Sequence, residues 1–202
     1  MLLVTQIVEM QTDCVALWHD QPIVSPAAPK GSTEIVPLIL ANHEINFRLW
    51  HEEDLARDPD ATDAVIANVK RNIDRLNQRR NDAIESIDDG FAGWLSINAI
   101  LAKTDRSNTE TVGSAFDRLS ILALRVYHLR IESERERLTQ TQRERVGASL
   151  VIATAQQKLL TKSLQTLIDE IVAGGKRHET FKQLKMYNDP SLNPVLYNRA
   201  GT

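Results

Sequence analysis

Four asparagines in helical surroundings, and an arginine where a hydrophobe is due, are the residues of this sequence best placed to do chemistry. Asn42, Asn46, Trp50, Glu53 and Arg57 recur every three or four residues, and so do Asp74, Asn77 and Asn81. In a helix that spacing puts each series on one face. Arg80 interrupts the apolar series Ile73, Leu76, Ala83 and Ile87. A guanidinium taken out of water needs a carboxylate or an anionic ligand. Asparagine is a middling helix former, so its repeated use in mid-helix argues for hydrogen bonds worth keeping. Together these residues predict a polar inter-helical site for a small anionic ligand, such as a phosphorylated metabolite or a nucleotide-sugar. Arg80 and Arg118, with Asp117 beside them, would hold the anion, and the asparagines would orient hydroxyls or amides. His43, His51 and His128 are the candidate acids or bases near neutral pH. Lys185 and Tyr187 stand in a C-terminal tail expected to close one end of the bundle, where they would reach a ligand or simply dock.

Other chemistries fit less well. Glu85-Ser86-Ile87-Asp88 has half of the carboxylate pattern with which helical nucleotide pyrophosphatases hold magnesium. Its counterpart, His51-Glu52-Glu53-Asp54, falls about 30 Å of helix away if the chain reverses tightly at Pro59. A metal-dependent nucleotide hydrolase is therefore the third reading. No His-Glu-x-x-His motif exists, and His43 and His51 stand about 12 Å apart along a helix, too far to share a metal. No metal and no cofactor are expected. The single cysteine, Cys14, reads as a small buried apolar residue, and no Gly-rich phosphate loop or nucleophile elbow is present.

The elements that must position these groups are helices. Val4, Ile7, Val8, Val15 and Leu17 predict a first helix over 3–19, followed by a loop at Pro22, Pro26, Pro29 and Gly31. Pro37 opens a second helix running to Arg57. Asp58-Pro59-Asp60 makes a tight turn, Asp60 and Asp63 cap a third helix, and Gly90 with Gly93 end it, with Phe91 and Trp94 packing over the end. Level matching across that turn sets Asn42 against Asn77 and Asn46 against Asp74. A fourth helix begins at Gly113-Ser114. Glu132 to Arg145 is nearly all polar, so two helices extend past the core and turn back near Thr139–Thr141. Gly174-Gly175 ends the fifth helix, and a short helix precedes an irregular tail. The expected fold is all-α: an antiparallel bundle with a four-helix core or close variant, an extra N-terminal helix and a docked C-terminal tail. It forms a single domain over 1–202, divided into 1–36, 37–175 and 176–202.

The bulk numbers agree. The chain has 202 residues, 42% hydrophobic and 25% charged, with a formal net charge of −3. That suits one globular domain with a sizeable core. It gives no electrostatic case for nucleic acid. No run approaches the ~20 apolar residues that span a bilayer, and no signal peptide is visible. A cytoplasmic protein with no membrane or nucleic-acid partner is expected. The competing function is a non-catalytic interaction protein that forms a homo-oligomer or binds a protein partner through the charged hairpin and its helix faces.

Several runs resemble a bacterial family of all-helical proteins of similar length and unknown function. They are Asn42-His43-Glu44, Leu49-Trp50-His51-Glu52-Glu53-Asp54-Leu55-Ala56-Arg57, Asn77-Gln78-Arg79-Arg80-Asn81-Asp82, Asp117-Arg118-Leu119-Ser120-Ile121-Leu122 with Tyr127-His128, and Lys185-Met186-Tyr187-Asn188-Asp189-Pro190. The resemblance runs from about Leu38 to Tyr197, with 95–112 fitting less well. It implies membership and an all-helical fold, and no activity.

Overall fold

The computed structural model describes residues 3–24, 34–184, 189 and 191–198. Five long helices follow one another: α1 (Val4–Asp20), α2 (Ile35–Leu55), α3 (Asp63–Ile97), α4 (Val112–Ser133) and α5 (Gln140–Val172). A single turn, α6, covers Pro194–Tyr197. No strand occurs among the described residues. α2 with α3 and α4 with α5 form two antiparallel hairpins, α2 and α3 both pack on α4, and α1 lies against α4, α5 and α2.

α2 is the central helix. Its buried residues Ile35, Val36, Ile39, Leu40, Asn42, His43, Ile45, Asn46, Phe47 and Leu49 leave little solvent face over the first four turns. α1 is less an appendage than expected. Val4, Ile7, Cys14, Val15 and Trp18 join the main apolar core with Phe91, Phe116, Leu119 and Leu164. Its first amide, Val4 N–H, donates to Gln165 Oε1 of α5 at 3.0 Å. A second, smaller cluster of Ile45, Leu49, Val69, Ile73 and Leu76 zips the distal part of the α2–α3 hairpin.

Helix ends follow local chemistry. Thr62 Oγ1 accepts from Val65 N–H at the start of α3, Thr111 Oγ1 from Ser114 N–H at the start of α4, and Thr139 with Gln142 forms a capping box on α5. The predicted Asp60 cap is thus corrected to Thr62. Asp60 instead belongs to the turn, its amide donating to Asp58 Oδ1. The polar stretch 132–145 does contain the reversal, but over 134–139 rather than at Thr139–Thr141: α4 ends at Ser133, and α5 begins at Gln140 because Thr139 caps it.

Three further expectations are corrected. α3 runs through Gly90 and Gly93 to Ile97. A glycine costs about 1 kcal/mol of helix propensity, and at Gly90 packing overrides it: a Cβ there would stand 2.8 Å from Leu38 Cδ1 of α2. The reversal falls instead on Ala99, whose φ of 54° lies in the left-handed region. Phe91 and Trp94 accordingly lie within α3, their rings stacked at 5.8 Å. The hairpin register also differs from the tight-turn expectation. Asn72 reaches Glu52 and Gly90 meets Leu38, so α3 stands more than a turn further along because the connection uses all of 56–62. Finally, 176–184 is not helical, and the last helical turn is α6.

α3 and α4 cross closely at Gly113, where a Cβ would meet Ile84 O at 2.5 Å. Asp88 Oδ1 accepts Gly113 N–H there at 2.7 Å. A carboxylate at a helix N-terminus satisfies an orphan donor and favours the dipole. This crossing fixes α4 against α3 and so sets the level at which Asp117 meets Arg80.

Candidate functional site

The polar residues of α2 do converge, and their centre is Asp117. Its Oδ1 accepts Asn42 Nδ2–H at 3.0 Å, Asn46 Nδ2–H at 2.9 Å and Arg80 Nε–H at 2.9 Å. Its Oδ2 accepts Arg80 Nη2–H at 2.5 Å. The Arg80 fork is the bidentate geometry that makes arginine suited to carboxylates. Asp117 is 4% exposed and Arg80 30%. Asn46 Nδ2 also lies 3.0 Å from Ser120 Oγ. Ser120 in turn donates to His43 Nδ1 at 2.7 Å, and His43 Nε2–H donates to the Gln11 carbonyl at 2.8 Å. One chain of hydrogen bonds thus ties α3, α4, α2 and α1 together.

The predicted site residues divide between this network and its surroundings. Asn42, Asn46, Arg80, Asp117 and His43 are in it. Asn46 and Arg80 also line a pocket of about 460 Å³ with Trp50, Glu53, Arg57 and Asn77. Arg57 in that pocket, just past the end of α2, pairs with Glu53 and Asp54 of α2. Asn81 stands one turn beyond Asn77, half-buried and outside both groups. Asp74 faces solvent, paired with Lys70. Arg118 points away from Arg80, exposed and bonded to Glu110 at 2.8 and 2.6 Å. Lys185 and Tyr187 lie outside the described residues. Of the magnesium half-pattern, Asp88 caps α4 and Glu85 accepts Gln183 N–H and pairs with Lys182.

His43 is fully buried with both ring nitrogens engaged, and burial pushes its pKa down to about 4. It stays neutral at physiological pH and serves as a structural link. His51 and His128 are placed differently. They meet His19 of α1, which no pattern in the sequence marks, in a half-open cluster walled by aromatic rings. Ring centroids are 5.1 Å apart for His19–His51 and His19–His128, and 5.8 Å for His51–His128. Trp50 stacks flat on His128 at 4.8 Å, and Tyr127 on His19 at 4.7 Å. Burial lowers the pKa of His128 to about 4, with help from the neighbouring imidazoles, and lowers that of His51 for the same reasons. Asp54 opposes both shifts.

On the other side of α2 a groove of about 760 Å³ runs between α2 and α3. Arg48, Arg75 and Arg79 line it with Glu44, Glu52 and His51. Glu44 pairs with Arg48 and Glu52 accepts from Asn72. Among the described residues, neither Arg75 nor Arg79 has a carboxylate partner; Arg75 reaches only the Asn72 side-chain oxygen.

A family model described as a protein of unknown function, DUF4254, matches residues 37–180. The chain belongs to the DUF4254 family. The matched span holds α2 through α5 and hence the whole Asn42–Asn46–Arg80–Asp117–Ser120 network, whereas α1 with His19 and Gln11 precedes it. No curated protein and no solved structure matches the chain. No helix among the described residues of this DUF4254 member is long and apolar enough to cross a membrane.

Proposed function

We propose that the protein binds a small anionic metabolite, phosphorylated or carboxylated, in the groove between α2 and α3. The observation that carries this reading is the pair Arg75 and Arg79, one helical turn apart on that groove, neither of which forms an ion pair with a carboxylate among the described residues. The groove's volume is that of a ligand site, commonly 300–1,000 Å³. Arginine forks match phosphate and carboxylate geometry. The pocket around Arg80 is a weaker anion site, because Asp117 takes up the Arg80 charge and Glu53 and Asp54 that of Arg57. Its balanced lining of Trp50, Asn46 and Asn77 suits a neutral polar moiety.

A thermal-shift screen against phosphosugars, nucleotides and inorganic phosphate tests the proposal. A ligand at about 100 times its Kd stabilises the native state by ~2.7 kcal/mol, and the midpoint rises accordingly. Arg75→Met/Arg79→Met, at exposed positions, keeps the unliganded midpoint and loses the shift. Equal shifts in both proteins would place the ligand elsewhere.

A second reading rests on α5. Val151, Ile152 and Leu159 are exposed by 70%, 57% and 68% and share one face with the exposed Ala155. Under it, a second copy of the chain covers this face and the protein works as an oligomeric interaction module. Sedimentation analysis decides it: a dimer that Leu159→Glu converts to monomer supports the reading, and a monomeric parent sinks it.

A further inference from the structure

We infer that His19, His51 and His128 form a binding site for a divalent transition metal of the zinc class. Each offers one ring nitrogen, and the three nitrogens lie within 4.8 Å of one another. Around tetrahedral zinc, with nitrogens at 2.0–2.1 Å, ligand atoms stand about 3.4 Å apart. Small rotations of the rings close that difference. The ligands come from α1, α2 and α4, three helices fixed by the core and by the Asp117 network, so the cluster is an assembled feature of the fold.

The surroundings meet the requirements of metal ligation. His19 Nδ1–H donates to the Val15 carbonyl at 2.7 Å, because a carbonyl can only accept. That tautomer leaves the Nε2 lone pair available, and such a bond to a backbone carbonyl is how metal-bound histidines are commonly oriented. His128 Nε2 is shut off from solvent with no hydrogen-bond partner, an orphan that a buried polar atom does not ordinarily remain. Trp50, Tyr127 and Phe47 hold the rings by stacking and edge contacts. Neutral imidazoles suit zinc, copper, nickel and cobalt over magnesium or calcium. Asp54 supplies negative charge nearby, which favours a cation. Three protein nitrogens with a half-open face leave one coordination position free, the pattern of reactive rather than structural zinc sites. His51 also borders the α2–α3 groove, so the metal would sit at the edge of that space.

The inference stands apart from the anion reading, and the experiment separates them. The full chain, stripped with a chelator, is titrated with zinc chloride by calorimetry and with cobalt chloride by visible absorption. The expected result is one metal per chain and the intense cobalt bands of tetrahedral coordination. His51→Gln and His128→Gln each weaken binding at least tenfold, the double variant removes it, and His178→Gln, outside the cluster, leaves it unchanged. Arg75→Met/Arg79→Met keeps full zinc affinity. The inference is overturned if the parent chain takes up neither metal, or if the cobalt spectrum is that of weak octahedral binding. Neither outcome depends on a variant that folds. Equal zinc affinity in the double-histidine variant overturns it as well.

Discussion

Asp117→Ala is expected to lower the unfolding free energy by about 3–5 kcal/mol, the range for removing one partner of a buried ion pair. The carboxylate accepts four hydrogen bonds from three side chains, and its removal strands the donors of Asn42, Asn46 and Arg80 together. Arg80→Met should cost less, about 1–3 kcal/mol, because Asp117 keeps its two asparagine donors and Arg80 is already 30% exposed. Asp117→Asn presents an amide N–H₂ to surrounding donors and should resemble alanine more than the parent. Urea unfolding of the single variants and of Arg80→Met/Asp117→Ala measures the coupling. If Arg80→Met proves as costly as Asp117→Ala, the asparagines contribute nothing and Asp117 is not the centre of the network.

The second large effect is a loss of stability in mild acid that is traceable to His43. Its pKa is about 4 in the folded chain and about 6.5 when unfolded. The folded state thus binds fewer protons, and stability rises with pH across that window. The contribution is complete above about pH 6.5. It falls as pH drops toward 4 and levels off below that, where both states are protonated. At one pKa unit per 1.36 kcal/mol the full cost is about 3 kcal/mol. His128, also near 4, adds a parallel loss, and Asp88, whose carboxyl is raised by burial, works in the opposite sense. The comparison of parent with His43→Gln cancels both. Unfolding free energies at pH 7, 6 and 5 should show the variant taking up about one proton fewer per chain on unfolding toward pH 5. Parallel curves would mean that His43 titrates in the folded chain as it does in the unfolded one.

The helices were legible because their apolar residues repeat every three to four positions, and prolines agreed with the pattern, whereas the threonines that cap α3, α4 and α5 went unread. The end of α3 was not legible, because Gly90 carries a helix-stop signal whose reason is the approach of Leu38 from α2, a contact no local rule contains. The polar stripe was legible for a similar reason in reverse. Asn42, Asn46 and Arg80 broke local rules, and broken rules mark groups with partners. Of the two partners open to it, a carboxylate or an anion, Arg80 meets the carboxylate of Asp117 from α4, and the neighbouring Arg118 turns outward. The imidazole cluster was legible only in part: His51 and His128 stood out as candidate acids or bases, and nothing joined them to His19. His19, His51 and His128 sit on three separate helices, and only the packing of α1 brings them into one place.

The bond from Val4 to Gln165 spans 161 residues of chain. Bringing such distant points together costs roughly 3 kcal/mol more loop-closure entropy than closing the seven-residue link between α2 and α3. The hairpins have cheap closure, and so does the bond from His43 to Gln11, 32 residues apart, whereas the Gln165 bond does not. The first helix is therefore tied to the bundle at one near and one far point of the chain, and side-chain burial holds it between them. The imidazole that it carries to the cluster stays there only while both ends are docked.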